Sequence, residues 1–140
     1  MEAWRAAVVE EAKSWLLTPW IHRARIKGAG VDCGQFLIGA YAGAGVIAPF
    51  DTGEYPIDWM LHREEERFLA WIDRYMVPTV EPLPGDVAIW RWGRAFSHAA
   101  IVIEWPVVIH AFRKERGVVW GDVTQGPLAH RDRLLYTRRM

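Results

Sequence analysis

Residues 97–112 read SHAAIVIEWPVVIHAF, and the rest of the architecture is read outward from them. Ala99 to Trp105 and Val107 to Phe112 are short apolar runs rich in β-branched residues, parted at Pro106. Such runs form strands, and so short a break between two of them makes a hairpin. Upstream, Val87 to Trp92 repeats the pattern after the turn signal Pro84-Gly85-Asp86. Downstream, Gly117 to Val123 and Leu134 to Arg138 supply two more candidates. The first half of the chain has a different period. In Glu2 to Leu17, Trp4, Val8, Ala12, Trp15 and Leu16 recur at helical spacing, with Arg5, Glu10, Glu11 and Lys13 between them. Gly34 to Ala44 is apolar almost throughout and closed by glycines, as a helix buried on most sides would be. Asp58 to Tyr75 places Met60, Leu61, Phe68, Ile72 and Tyr75 inward and the charged run Arg63 to Arg67 outward. Helices first and a strand meander afterwards predict an α+β domain, with N-terminal helices packed on an antiparallel sheet of about five strands.

Bulk properties narrow the function. The 140 residues suit a single domain over 1–140. Seventeen basic and seventeen acidic side chains cancel, which argues against a dedicated nucleic-acid binder. No apolar run approaches the roughly eighteen residues of a membrane span. The start, Met-Glu-Ala-Trp-Arg, lacks the pattern of a signal peptide, so the expectation is synthesis in the cytoplasm and export by other means. One cysteine excludes an internal disulfide and a cysteine-based zinc site. Most of the nine tryptophans are expected in the core, and some on a groove or a partner surface.

Cys33 opens the second helix, with Asp32 suited to cap it. A helix N-terminus stabilises a thiolate, and its free N–H groups can hold an oxyanion. Alone, such a cysteine is either a reactive thiol or a small buried hydrophobe. His98 stands at a strand entry, where an imidazole can be presented toward a helix terminus or can simply satisfy local hydrogen bonds. His110 lies twelve residues on. A hairpin turning at Glu104 would set residues 98 and 110 directly opposite, so that His110 orients His98 as the third member of a Cys–His–X set. Two histidines abreast can also bind a metal, but Asp86 and Glu104 lie elsewhere on the strands and complete no ligand set. No metal and no cofactor is assigned. His22, His62 and His130 read as surface or loop residues.

Thr18-Pro19-Trp20 followed by Lys27-Gly28-Ala29-Gly30-Val31-Asp32-Cys33-Gly34 resembles the nucleophile region of NlpC/P60 cysteine peptidases. The likeness is to the branch of phage tails and gene transfer agents. Pro84-Gly85-Asp86-Val87, Ser97-His98-Ala99-Ala100-Ile101 and Ile109-His110-Ala111 are similar to the family's later blocks, in the family's order. The resemblance implies a papain-like core and hydrolysis of an amide in peptidoglycan stem peptides, most plausibly the γ-D-glutamyl–diamino acid bond. It maps Cys33 to nucleophile, His98 to base and His110 to orienting residue, and places Asp32, Trp20 and Ser97 at the substrate. The family's Asp-Cys-Ser-Gly is Asp32-Cys33-Gly34-Gln35 here, so one serine hydroxyl is missing, and Trp20 lacks the phenol of the usual tyrosine. The implied setting is a phage or phage-like particle with tail assembly proteins as partners. A catalytically silent tail plug and a secreted antibacterial effector are the alternatives, while Gly30-Val31-Asp32-Cys33 disfavours a CHAP-like amidase.

Overall fold

The computed structural model of the chain describes residues 1–55, 67–93 and 95–140. The described helices are α1 (Ala3–Ser14), α2 (Cys33–Gly43) and α3 (Arg67–Tyr75). A small hairpin, β1 (Arg25–Ile26) and β2 (Gly30–Val31), precedes α2. The main sheet is antiparallel, built from β3 (Met76–Pro78), β4 (Val87–Trp92), β5 (Ala95–Glu104), β6 (Val107–Phe112), β7 (Gly117–Asp122) and β8 (Arg133–Arg138). Its spatial order is β3-β8-β4-β5-β6-β7.

The α+β reading therefore holds, with six strands in the sheet where the sequence suggested about five. The added strand is β3. Among the described residues it pairs with β8 alone, and a proline is tolerated there because an edge strand need not donate on its outer side. Of the expected third helix, residues 67–75 are helical, whereas Met60, Leu61, His62 and the start of the charged run lie outside the described residues.

Alternation along the strands buries both faces. Ile89, Ala99, Ile101 and Ile109 face the helices and pack with Phe36 and Ala40 of α2. Trp90, Ala100, Val102 and Val108 point the other way, under Val123 and Leu128 from the segment between β7 and β8. Trp15 and Trp90 are core residues, while Trp120 is half exposed. The close approach of α1 to α2 depends on Gly39, where an added Cβ would lie 2.5 Å from the Trp15 ring.

The predicted hairpin register is corrected. Ile101 pairs with Ile109 and Val102 with Val108, and an irregularity precedes Glu104. His110 is therefore two residues out of the expected alignment with His98. A shift of two preserves the face, whereas a shift of one would have turned one ring to the opposite side. The histidines end as diagonal neighbours, close enough for long side chains to meet.

A buried ion pair fastens α1 to the sheet. Arg5 gives hydrogen bonds to Asp86 Oδ1 (2.8 Å) and the Pro84 carbonyl (3.1 Å). Thr137 Oγ of β8 donates to the same Asp86 oxygen (2.6 Å), and the Leu83 N–H donates to the other (2.9 Å). Asp86 is 1% exposed, so removing its cation strands a charge in the interior. Arg5→Ala is expected to lower unfolding free energy by about 3–5 kcal/mol. Urea denaturation checks this, and a loss below about 1 kcal/mol would mean the pair does not anchor the helix.

Candidate active site

The site is assembled where the tip of α2 meets the start of β5. Asp32 caps α2, its Oδ1 accepting the Gln35 N–H at 2.9 Å. Its Oδ2 accepts the Arg23 N–H (2.9 Å) and the Tyr55 hydroxyl. Gln35 Nε2 in turn donates to Thr52 Oγ1 (3.0 Å) and to the Tyr55 hydroxyl oxygen (3.2 Å). The capping carboxylate is 4% exposed and held from three directions. Cys33, the first residue of the helix, is fixed as a consequence.

The Cys33 thiol donates to the Ser97 carbonyl, with sulfur 3.3 Å from oxygen. Ser97 is the residue immediately before His98. It is also the extra residue of a bulge, because Trp90 pairs with His98 while the next pair is Arg91 with Phe96. Bulges re-aim neighbouring side chains and are frequent beside active sites. His98 Nε2 lies 2.8 Å from His110 Nδ1, and both rings are buried. Phe112 stacks on His110 with centroids 5.0 Å apart, and Trp92 packs on His98 at 5.2 Å. Arg131 lies over the outer face of Trp92, 3.5 Å from its centroid.

The two imidazoles share one proton through the facing nitrogens, so one ring donates and the other accepts. Nitrogens aimed at each other in this way are not aimed at a common metal. The remaining nitrogen of His98, Nδ1, makes no hydrogen bond to the described residues.

The other sequence-predicted residues fall as follows. The Ser97 hydroxyl is buried and directed at the carbonyls of Trp92 and Ala95, both at 3.4 Å, so its carbonyl rather than its hydroxyl meets Cys33. Trp20 bridges Val31 through the backbone, but its ring lies under the Arg113 guanidinium at 5.3 Å. The phenol beside Asp32 comes from Tyr55, in a turn-rich stretch with no periodic signal. His22 lies in a loop, as read from the sequence, and from there reaches this cluster. Its Nε2 is 2.8 Å from the Tyr55 carbonyl and its Nδ1 is 4.0 Å from Asp32 Oδ2. His130 is exposed in a turn, as read from the sequence.

Electrostatics at the site runs against the helix-dipole expectation for Cys33. Cys33 is partly buried, and that burial together with the Asp32 charge pushes the thiol well above its ordinary range. Burial drives His98 well below the ordinary imidazole range, helped by His110 and Arg131, and lowers His110 to about 4. Cys33 rests as a neutral thiol against the β5 backbone on the helix side, and the two imidazoles rest neutral on the opposite face with Trp90, because the interior penalises charge more than the helix end rewards it.

Two outcomes follow. The resting thiol should react with iodoacetamide at pH 7–8 more slowly than free cysteine, and brisk alkylation at mildly acidic pH would contradict the neutral site. Stability should also depend on acid. The unfolded chain takes up protons on these histidines near pH 6.5 and the folded chain does not, so stability held at neutral pH is lost as pH falls from about 6.5 toward 4. For His110 the loss should reach about 3 kcal/mol. His110→Gln should flatten the profile of Tm against pH, and an unchanged slope would contradict the burial argument.

No family model matches the sequence, and no curated protein does. Solved structures do resemble the fold. The NlpC/p60 domain of the peptidoglycan hydrolase SagA superposes with a TM-score of 0.61 at 21% identity, over 94% of this chain and 97% of that one. NlpC1 from Trichomonas vaginalis gives a TM-score of 0.68 at 17% identity, over 94% of this chain and 42% of its own length. The peptidoglycan hydrolase RipB from Mycobacterium tuberculosis gives 0.59 at 19%, over 96% of this chain and 64% of its own. The chain has the fold of the NlpC/P60 domains.

Proposed function

We propose that this chain is a cysteine peptidase that cleaves an amide bond in peptidoglycan stem peptides. One observation carries the reading: a lone cysteine at a helix N-terminus bonded to the residue before His98, with His98 bonded at 2.8 Å to a second buried imidazole. The likeness to NlpC/P60 hydrolases supports the substrate class.

In this reading Cys33 is the nucleophile, His98 the base and His110 the orienting residue. The Cys33 proton leaves the Ser97 carbonyl and is taken up by His98 Nδ1 as sulfur attacks the scissile carbonyl; no hydrogen bond joins the two at rest, so the step requires the His98 ring to turn toward the sulfur. His98 Nε2–H donates to His110 Nδ1, which stabilises the imidazolium that forms. The oxyanion is held by the Cys33 and Gly34 N–H groups at the start of α2. His98 then protonates the leaving amine, and water resolves the acyl-enzyme with His98 as base. Because both partners are neutral at rest, the thiolate forms during attack and is not stored beforehand. The bond assigned is γ-D-glutamyl–diamino acid, and the setting a phage tail or gene transfer agent particle. Asp32, Tyr55 and His22 form the wall beside the nucleophile, where the stem peptide would lie.

A second reading has a specific observation behind it. A protonated thiol already satisfied by a carbonyl suits a silent tail component that kept the fold.

Incubation with soluble muropeptides, read by mass spectrometry, separates the two. Peptidase function predicts cleaved stems from the unaltered protein and background turnover from Cys33→Ala and His98→Ala, since nucleophile and base act as a unit. His110→Ala should retain activity reduced by roughly tenfold to a hundredfold, because water replaces part of an orienting group. No product from the unaltered protein, with the chain found in purified particles, would establish the silent reading.

A further inference from the structure

His110 is buried to 3% exposure, and its ring is confined on three sides. Phe112 stacks on its face, His98 meets Nδ1, and the backbone of β7 runs past the end that carries Nε2. The β7 residue at that end is Gly121. A Cβ there would lie 3.0 Å from His110 Nε2, 3.2 Å from His110 Cδ2 and 3.2 Å from Val108 Cγ2. Contacts that short require a neighbour to give way. The imidazole cannot retreat along its own axis, because His98 already stands 2.8 Å beyond Nδ1. Val108 is fully buried in the core behind the sheet and yields little.

Proton bookkeeping gives the same residue a second role. For His98 Nδ1 to accept the thiol proton, His98 must carry its own proton on Nε2 and donate it to His110 Nδ1. The proton of His110 then sits on Nε2, pointing past Gly121. There the ring forms part of the wall of a cavity of about 300 Å³, also lined by Glu115, Asp122 and Gln125. At about 30 Å³ per molecule that volume holds several waters, and polar walls suit them. A methyl group at position 121 would sit against this N–H.

We propose that Gly121 is a positioning residue for the histidine pair: its bare backbone leaves room for His110 to face His98 and keeps the outer N–H of His110 open to water in the cavity. This role rests on His98 acting as base, as assigned above. Gly121 touches no reacting atom and acts through His110.

The test compares the unaltered chain with Gly121→Ala and with Gly121→Ala combined with Val108→Ala. Imidazole nitrogen resonances read the tautomers directly and need no turnover. The unaltered chain should show His98 and His110 both protonated on Nε2, with a shared hydrogen bond. Gly121→Ala should lose that signature, and kcat on muropeptides should fall by roughly tenfold to a hundredfold with KM little changed. In the double variant Val108 no longer clashes but His110 still does. It should recover thermal stability, and remain measurable if the single variant folds poorly, without recovering tautomers or kcat. Wild-type imidazole spectra in Gly121→Ala would overturn the proposal. Recovery of spectra and kcat in the double variant would overturn it too, by placing the strain on Val108. Should the unaltered chain show the tautomers but no turnover, the peptidase reading fails while the positioning of His110 by Gly121 still stands or falls on the spectra.

Discussion

Asp32 carries a carboxylate with almost no access to water, and a buried carboxylate must collect donors or be expelled. It collects the Gln35 N–H from the helix it caps, the Arg23 N–H from the preceding loop, and the Tyr55 hydroxyl from the segment that follows. Three stretches of chain are thereby tied to one side chain. The helix start is fixed to the residue, and Cys33 is delivered against the β5 backbone at Ser97. The same carboxylate raises the energy of a thiolate next to it, so the group that places Cys33 also keeps it protonated.

Holding the site uncharged has a consequence for chemistry. A buried thiolate–imidazolium pair would need its desolvation cost returned by mutual attraction alone, and here an aspartate opposes it. A neutral thiol costs little to bury and stays inert toward oxidants and stray electrophiles. In the proposed reaction the second imidazole matters most at the moment of attack, when His98 would acquire charge and its N–H toward His110 would be held. Trp92, Phe112 and the Arg131 guanidinium enclose the pair on the remaining sides.

Much of this was legible in the residues. Asp32 before an apolar run identified the cap, and two strands joined at Pro106 identified the hairpin. The interval between His98 and His110 placed both rings on one face, and even spacing protects that inference against a slip of two residues. The actual register was not legible, because an irregularity before Glu104 carries no sequence mark. Strand β3 was hidden by its three-residue length and by Pro78. Tyr55 and His22 were missed because they reach Asp32 from turns, where no periodicity announces a contact. The direction of the Cys33 shift was missed for a physical reason: a helix dipole can be read from the chain, whereas the packing that outweighs it cannot.

In the proposed function Cys33 is a nucleophile served by His98 and addressed to stem peptides. A stem dipeptide bearing a chloromethyl ketone tests it most directly, with the adduct located by mass spectrometry of peptide fragments. Covalent labelling at Cys33 is expected, slowed at least tenfold in His98→Ala and suppressed by excess muropeptide. Labelling that is equally fast in His98→Ala, or indifferent to muropeptide, would contradict it.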